Sequence, residues 1–125
     1  GTVTINDAVP HKKMLALLET HDIVVHPSIV AEAIPRTVLE ALEARKIVIA
    51  SNVGGAKGAI IDGTSGLLFD PFNAQTLIDA IERVLTDAQL RKNLRAHARD
   101  GVVSHLPRNV IAQVKKIYVL LLARS

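Results

Sequence analysis

Two glutamates eight residues apart, Glu32 and Glu40, flank a predicted helix start at Arg36. The unpaired N–H groups and partial positive charge of a helix start suit a phosphate. A carboxylate one turn further in, such as Glu40, can accept two hydrogen bonds from vicinal hydroxyl groups. A carboxylate in the preceding loop, such as Glu32, can hold another polyol. The combination suits a sugar nucleotide, although two glutamates at this spacing also arise often by chance.

Each residue around this helix start also has a structural interpretation. Glu32 fits an exposed loop carboxylate, and Glu40 fits a residue of the helix surface. Arg36 is either an exposed first-turn residue or a phosphate contact, and Pro35 is predicted to shape the loop. His26, at the end of the preceding strand, fits a partly buried, hydrogen-bonded side chain better than a catalytic one.

Other candidate ligand residues give weaker signals. Gly54 and Gly55 resemble a phosphate loop, but no Gly-Lys-Ser/Thr motif follows, so the pair is more typical of a turn. Lys57 is an alternative phosphate contact. The 5 histidines are dispersed without metal-ligand spacing and there is no cysteine, so we predict no metal site and no cofactor.

Two kinds of apolar segment alternate along the chain and predict strands and helices. Predicted strands lie at residues 3–5, 23–25, 47–49 and 66–69, and predicted helices at 11–20, 36–44 and 56–61. After residue 71 the pattern is wholly helical. Fully apolar strands that alternate with helices predict a parallel sheet covered on both faces, which is a doubly wound α/β fold with a helical C-terminal third. Ligands of such sheets bind at the carboxyl ends of the strands, here the loops after residues 26, 50 and 69.

The helical third carries its own signals. Asn73 is a predicted N-cap, Thr86 with Gln89 reads as a capping box, and Pro107 is predicted to start the last helix. Two apolar stripes are expected to face the core. The first comprises Leu77, Ile78, Ile81, Val84 and Leu85, and the second Val110, Ile111, Val114, Ile117 and Leu121.

Charge is distributed unevenly. Residues 1–82 carry 6 basic and 10 acidic side chains, for a net charge of −4, and residues 83–125 carry 9 and 2, for +7. With only 3 aromatic residues, platforms for stacking bases are scarce, so we expect no nucleic-acid partner. The basic end is either a solvated helix surface or a contact for anionic lipid or an acidic partner.

No apolar run approaches the ~20 residues of a membrane span, and no signal pattern precedes the fold, so we expect a cytoplasmic protein, with peripheral contact at the inner membrane face as an option.

The stretch from Pro27-Ser28 to Ala41 resembles a family motif. Glu32-Ala33-Ile34-Pro35-Arg36-Thr37-Val38-Leu39-Glu40 is similar to the E-x(7)-E motif of retaining GT-B glycosyltransferases, especially glycosyltransferase family 4. The resemblance extends in register to Val9-Pro10, Asp22-Ile23-Val24-Val25, Val48 to Gly55 and Asp62 to Pro71. Essentially the whole chain is covered, which is more specific than any single motif.

The resemblance implies a site and an activity. Residues 1–125 would form the C-terminal, nucleotide-sugar-binding domain of GT-B type, with a Rossmann-like sheet. Glu32 would be the catalytic residue that contacts the transferred sugar, the segment Ala33, Ile34, Pro35, Arg36 and Thr37 would approach sugar and pyrophosphate, and Glu40 would bind the ribose. A hexose would pass from a nucleoside-diphosphate sugar, as co-substrate, to a glycan or lipid acceptor with retention of configuration and without metal.

The sequence departs from the family pattern at several positions. Ala33 and Arg45 stand where glycines are usual, Ile47 where a proline is usual, and Gly58 where a glutamate is common. The upstream arginine and lysine that grip the pyrophosphate in the family are not in this chain. We therefore expect the chain alone to be inactive. A sugar-nucleotide epimerase and a non-catalytic module, binding a partner or completing a split enzyme, are the alternatives.

The resemblance also predicts incomplete architecture. The domain would lack its first strands and the N-terminal acceptor domain. If the strand order 3-2-1-4-5-6 applies, the strand at 3–5 has no neighbour and one edge of the strand at 23–25 is open. We expect another copy, another chain or a rearranged N-terminus to cover that edge.

Overall fold

The computed structural model describes residues 1–123, in which helices and strands alternate up to residue 69 and only helices follow. The elements are α1 (His11–Thr20), β1 (Ile23–His26), α2 (Arg36–Glu43), β2 (Ile47–Ser51), α3 (Ala56–Ala59), β3 (Leu67–Phe69), α4 (Ala74–Thr86), α5 (Ala88–His97) and α6 (Pro107–Leu122). Two short 3-10 helices, Ala98–Gly101 and Val103–His105, connect α5 to α6. The predicted alternation and the helical C-terminal third are confirmed.

The strands form one parallel sheet in the order β1-β2-β3. Ile23 of β1 lies opposite Ile47 of β2, and Ile49 of β2 lies opposite Leu67 of β3. Parallel neighbours need a crossover between them, and α2 and α3 lie in these connections. The predicted α/β class is confirmed as a partial doubly wound sheet with β2 at its centre.

Helices cover both faces of the sheet around β2, whose five residues are all buried. Because side chains alternate along a strand, Val48 and Ala50 face one layer while Ile47 and Ile49 face the other. The first layer contains Leu18, Val38, Ala41, Leu42, Ala56, Ala59, Ile60, Ala98 and Val102, and the second contains Leu67, Phe69, Ala80, Val84 and Leu94. Burial on two faces explains why β2 reads as an unbroken apolar run.

The turn that ends α2 forms without the glycine that is usual there. Arg45 takes the left-handed conformation, with φ of 56°, and is the only non-glycine residue among residues 1–123 with positive φ. Its N–H donates to the Leu42 carbonyl over 3.0 Å, and the Lys46 N–H donates to the Ala41 carbonyl over 2.9 Å. These paired bonds make a Schellman motif, so the departure at Arg45 does not remove the turn.

The helix caps of the C-terminal third are partly as predicted. Asn73 caps α4, since its side chain accepts from the Gln75 N–H over 3.1 Å, and Pro107 is the first residue of α6. The capping box at Thr86 is wrong, because Thr86 is the last residue of α4. Asp87 caps α5 instead and accepts from the N–H three residues ahead over 2.8 Å. The two helices follow so closely that this one residue ends the first and begins the second.

The predicted strand at residues 3–5 is wrong. Residues 1–10 contain no regular element, and Val3 and Ile5 are each 92% exposed. A short β-branched run forms a strand only where a neighbouring strand offers its backbone groups, and none lies beside it in residues 1–123. Because residues 1–10 form no strand, β1 pairs with β2 alone within the described chain. The other edge of β1 is open, as predicted.

The second apolar stripe of the C-terminal third is exposed rather than buried. Helix α6 contains no buried residue. The predicted stripe residues are 43% to 59% exposed, namely Val110, Ile111, Val114, Ile117 and Leu121. In α4, Ile78 and Leu85 of the predicted stripe are exposed too, whereas Val84 is buried. Within residues 1–123, every helix is too short or too polar to cross a membrane.

Candidate functional site

The loop after β1 carries most of the predicted site residues and is anchored to the end of β2. Buried Ser51, the last residue of β2, donates its hydroxyl to the Ser28 carbonyl over 2.5 Å. Since β1 and β2 are paired and parallel, their carboxyl ends and following loops lie side by side. Two of the three predicted strand-end loops are therefore in direct contact.

The two glycines after β2 pack against the loop after β1. A Cβ on Gly54 would lie 2.6 Å from the Glu32 nitrogen, and a Cβ on Gly55 would lie 2.6 Å from the Ala33 carbonyl carbon. The Gly55 N–H also donates to the Glu32 carbonyl over 2.8 Å. Gly54 has a φ of 54°, which favours glycine for a second reason. The glycine pair therefore serves backbone contact with the Glu32 loop, a role that fits the predicted turn.

Glu32 is half exposed and contacts the end of β1. Its Oε1 lies 3.2 Å from Nε2 of His26, with side-chain exposures of 48% for Glu32 and 22% for His26. The structural interpretation of His26 as a partly buried, hydrogen-bonded side chain agrees with this placement. One carboxylate oxygen of Glu32 is thus oriented by the protein, and its exposed acceptor positions are available to a ligand.

The start of α2 presents free backbone donors. Pro35 occupies the N-cap position and is buried, and it provides no side-chain cap. The N–H groups of Arg36 and Thr37 have no acceptor within the helix, because the first intrahelical bonds come from later residues. The Arg36 side chain is exposed, and no cap or ion pair of the described residues uses it. A helix start of this kind attracts an anion.

Glu40 lies on α2 and faces the first residue of α1. Its Oε1 is 2.6 Å from Nε2 of His11, a residue 29 positions earlier in the chain. The Glu40 side chain is only 20% exposed, and its Oε2 is buried without a donor from the described residues. Because buried polar atoms are almost always hydrogen-bonded in proteins, this oxygen is suited to a ligand hydroxyl.

Two further departures from the family pattern, at Ala33 and Gly58, are tolerated by the fold. Ala33 is exposed and does not require positive φ, so its backbone is ordinary. Gly58 has open space around it, since a Cβ there would meet nothing within 4 Å. Lys57 is exposed on α3, the short helix that follows the glycine pair.

The site combines acceptors for hydroxyl groups with donors for an anion. It has no candidate metal cluster: within residues 1–123 no three acidic or histidine side chains are grouped for a metal. Two depressions in the surface, of about 410 and 250 Å³, lie along α1 rather than at the ends of the strands. The second lies between α1 and β1 and is lined in part by Met14, Ile23 and Val24.

One residue of this site, His11, was not predicted from the sequence. Nothing in the local pattern signals its contact with Glu40, because the two residues belong to different helices.

Comparison of sequences relates the chain to one family. The family model described as glycosyl transferases group 1 matches residues 2–101. Alpha-D-kanosaminyltransferase from Streptomyces kanamyceticus is 32% identical over 96 residues, which are 77% of this chain and 25% of that protein. The chain thus spans about a quarter of the length of this curated relative.

Comparison of structures gives the same relationship. Sucrose-phosphate synthase from Thermosynechococcus elongatus matches with a TM-score of 0.76 and 30% identity, covering 98% of this chain and 31% of the other. HepE from Anabaena, crystallised with UDP, matches with a TM-score of 0.68 and 27% identity over 86% of this chain and 29% of the other. The Anabaena protein has also been crystallised with UDP-glucose. The match to the synthase covers nearly the whole chain and therefore includes the sheet and the loops described above.

Proposed function

The chain belongs to the glycosyl transferases group 1 family, and we propose that it is the donor-binding part of a retaining glycosyltransferase. It contributes to the transfer of a hexose from a nucleoside-diphosphate sugar to an acceptor such as a glycan or a lipid. The observation that carries the proposal is the buried Oε2 of Glu40, which has no donor among residues 1–123 and lies about one helical turn behind the free N–H groups of α2. The complexes of the Anabaena relative with UDP and UDP-glucose support this class of ligand.

The proposal gives each group around α2 a role that its geometry supports. Glu40 accepts hydrogen bonds from the ribose hydroxyls through the oxygen that lacks a donor. The N–H groups of Arg36 and Thr37, with the Arg36 guanidinium, bind the diphosphate. Glu32, half exposed and oriented by His26, accepts hydrogen bonds from the transferred sugar. The backbone of residues 33–35 lies between these groups and approaches the sugar and pyrophosphate.

Catalysis in this scheme is mainly electrostatic. As the bond between sugar and diphosphate breaks, negative charge grows on the leaving phosphate oxygen. Donors that are already oriented at the helix start stabilise that charge without reorganising, which is usually the largest catalytic contribution. The residues present require no metal for this step, and the charge of Glu32 is near the sugar rather than near the phosphate. The oxygen of an acceptor hydroxyl bonds to the anomeric carbon as the diphosphate departs, and the hydroxyl proton passes to the departing phosphate oxygen, so that the hexose is transferred with its anomeric configuration retained.

The acceptor half of the reaction lies outside this chain in our proposal. The chain would be a C-terminal, nucleotide-sugar-binding domain without its first strands, and an N-terminal half or a second copy would supply the rest. The basic C-terminal third, with a net charge of +7, would allow peripheral contact of a cytoplasmic protein with an anionic membrane face.

A second candidate function is a non-catalytic module that binds a partner or completes a split transferase. Two observations favour it: Ala33 adds a Cβ where backbone is expected to approach the donor, and Gly58 provides no side chain where a glutamate is common. Such a module would fold normally and bind no nucleotide.

Calorimetric titration separates the two candidates. UDP, GDP, UDP-glucose and GDP-mannose are titrated into the chain, and we expect at least one nucleotide to bind. Glu40→Ala should then lower the affinity for that nucleotide about tenfold or more, because hydrogen bonds to a charged group are lost. Glu43→Ala is the matched control, since Glu43 lies on the same helix but pairs with Arg99. A normally folded chain that binds none of these compounds would overturn the proposal and leave the non-catalytic module.

A further inference from the structure

His11 contacts the one side chain of the site whose orientation matters most for a ribose. Its Nε2 lies 2.6 Å from Oε1 of Glu40. An ionised carboxylate only accepts hydrogen bonds, so Nε2 carries the hydrogen and donates it. The contact joins the first residue of α1 to the second turn of α2, across 29 positions of sequence.

This bond determines which way the Glu40 carboxylate points. A free glutamate side chain has several rotamers, and a charged group with no partner turns towards water. Glu40 is instead held inward, with one oxygen on His11 and the other buried without a donor from the described part of the chain. If the His11 donor were removed, both oxygens would lack a partner in a half-buried place, and the carboxylate would turn out to solvent.

We propose that His11 is a positioning residue for nucleotide binding, which acts by holding the Glu40 carboxylate in the orientation that accepts the ribose hydroxyls. The inference rests on the proposed function and adds a residue to it. His11 itself touches no reacting atom. Its side chain is 51% exposed, so its contribution to stability is small while its contribution to orientation is specific.

The test compares ligands with and without ribose hydroxyls. Affinities for UDP and 2′,3′-dideoxy-UDP, and for GDP and 2′,3′-dideoxy-GDP, are measured with the wild-type chain and with His11→Ala, His11→Gln and Glu40→Ala. The wild type should prefer the hydroxylated nucleotide about tenfold or more. His11→Ala should lose most of that preference while its affinity for the dideoxy nucleotide stays the same. His11→Gln, whose amide can donate to Glu40, should restore part of it.

Two controls separate positioning from a general effect on structure. His21→Ala removes a histidine from the other end of α1, where the ring contacts the Leu17 carbonyl and the Thr20 hydroxyl, and it should keep the full preference. In the Glu40→Ala background, His11→Ala should have no further effect, because residues that act through one another are not additive.

Each result decides a different question. If the wild type prefers the hydroxylated nucleotide and His11→Ala keeps that preference, the inference about His11 is overturned and the proposed function stands. If the wild type binds nucleotides without any preference, the ribose role of Glu40 and the inference both fail. If the wild type binds none of the four nucleotides, the proposed function fails and the inference about His11 fails with it.

Discussion

The backbone N–H of Gly55 donates to the carbonyl of Glu32 over 2.8 Å, so the turn after β2 directly supports the loop after β1. The contact is possible because Gly55 has no side chain. The position of Glu32 therefore depends on a residue 23 positions further along the chain, as well as on its own loop.

We expect Gly55→Ala to destabilise the chain by about 1–3 kcal/mol, because the new methyl would overlap backbone atoms that cannot move freely. Its Cβ would lie 2.6 Å from the Ala33 carbonyl carbon and 2.7 Å from the Ile34 Cα. Urea unfolding measures the change. Gly58→Ala is the matched control, since its Cβ meets nothing within 4 Å, and it should be neutral or slightly stabilising. Equal stabilities of the two variants would contradict the packing role.

Arg45→Gly should stabilise the chain by about 1 kcal/mol, because glycine adopts the left-handed conformation without the steric cost of a Cβ. The φ of 56° at Arg45 and the two Schellman bonds around it define that conformation. The free energy of unfolding in urea provides the measurement. Arg45→Ala removes the charge but keeps the Cβ, so it should give no comparable gain. Were both variants to gain equally, the charge rather than the backbone would be the cause.

Glu32→Gln should lower the affinity for UDP-glucose or GDP-mannose about tenfold. The affinities for UDP and GDP should stay the same. The amide keeps the size of the side chain but removes the charge that strengthens hydrogen bonds from sugar hydroxyls. Calorimetry with each nucleotide and its sugar gives the comparison. An equal loss for nucleotide and nucleotide sugar would mean that Glu32 affects the loop as a whole and not the sugar.

The open edge of β1 should cause self-association of the isolated chain or association with another chain. Within the described residues, β1 pairs on one side only, and the N-terminal segment 1–10 forms no strand that would cover the other. Sedimentation at increasing concentration should give masses above the 13.5 kDa monomer. Val25→Lys, which places a charge on β1, should reduce the self-association. Ile78→Lys on α4 should leave the self-association unchanged. A monomer at every concentration tested would refute self-association through this edge.

The predictions from sequence succeeded where a pattern reports burial directly. The unbroken apolar run in β2 follows from cover on both faces, and Asn73 caps a helix through its own side chain. They failed where a segment depends on a neighbour. Val3 and Ile5 have strand propensity but no strand to pair with among residues 1–123, and the apolar stripe of α6 is largely exposed instead of buried.

The candidate site shows the same division. The motif placed Glu32 in a loop and Glu40 on the helix that follows, and the structure has both there. Their functional roles stay predictions. The contacts that orient them, from His26 and His11, come from other elements, and no spacing within the motif reports those. Local signals thus locate a site residue, whereas its orientation is set by tertiary structure.

The strand order β1-β2-β3 has a kinetic consequence. Ile23 pairs with Ile47 and Ile49 with Leu67, so the two ladders close loops of only 24 and 18 residues. By the logarithmic dependence on loop length, the entropic costs of these closures differ by only about 0.3 kcal/mol. Parallel sheets usually fold slowly because distant segments must meet first, but here each strand adds to the one before it. The segment that holds Glu32 and Glu40 lies within the longer of these two closures, so we expect it to become ordered when β1 pairs with β2.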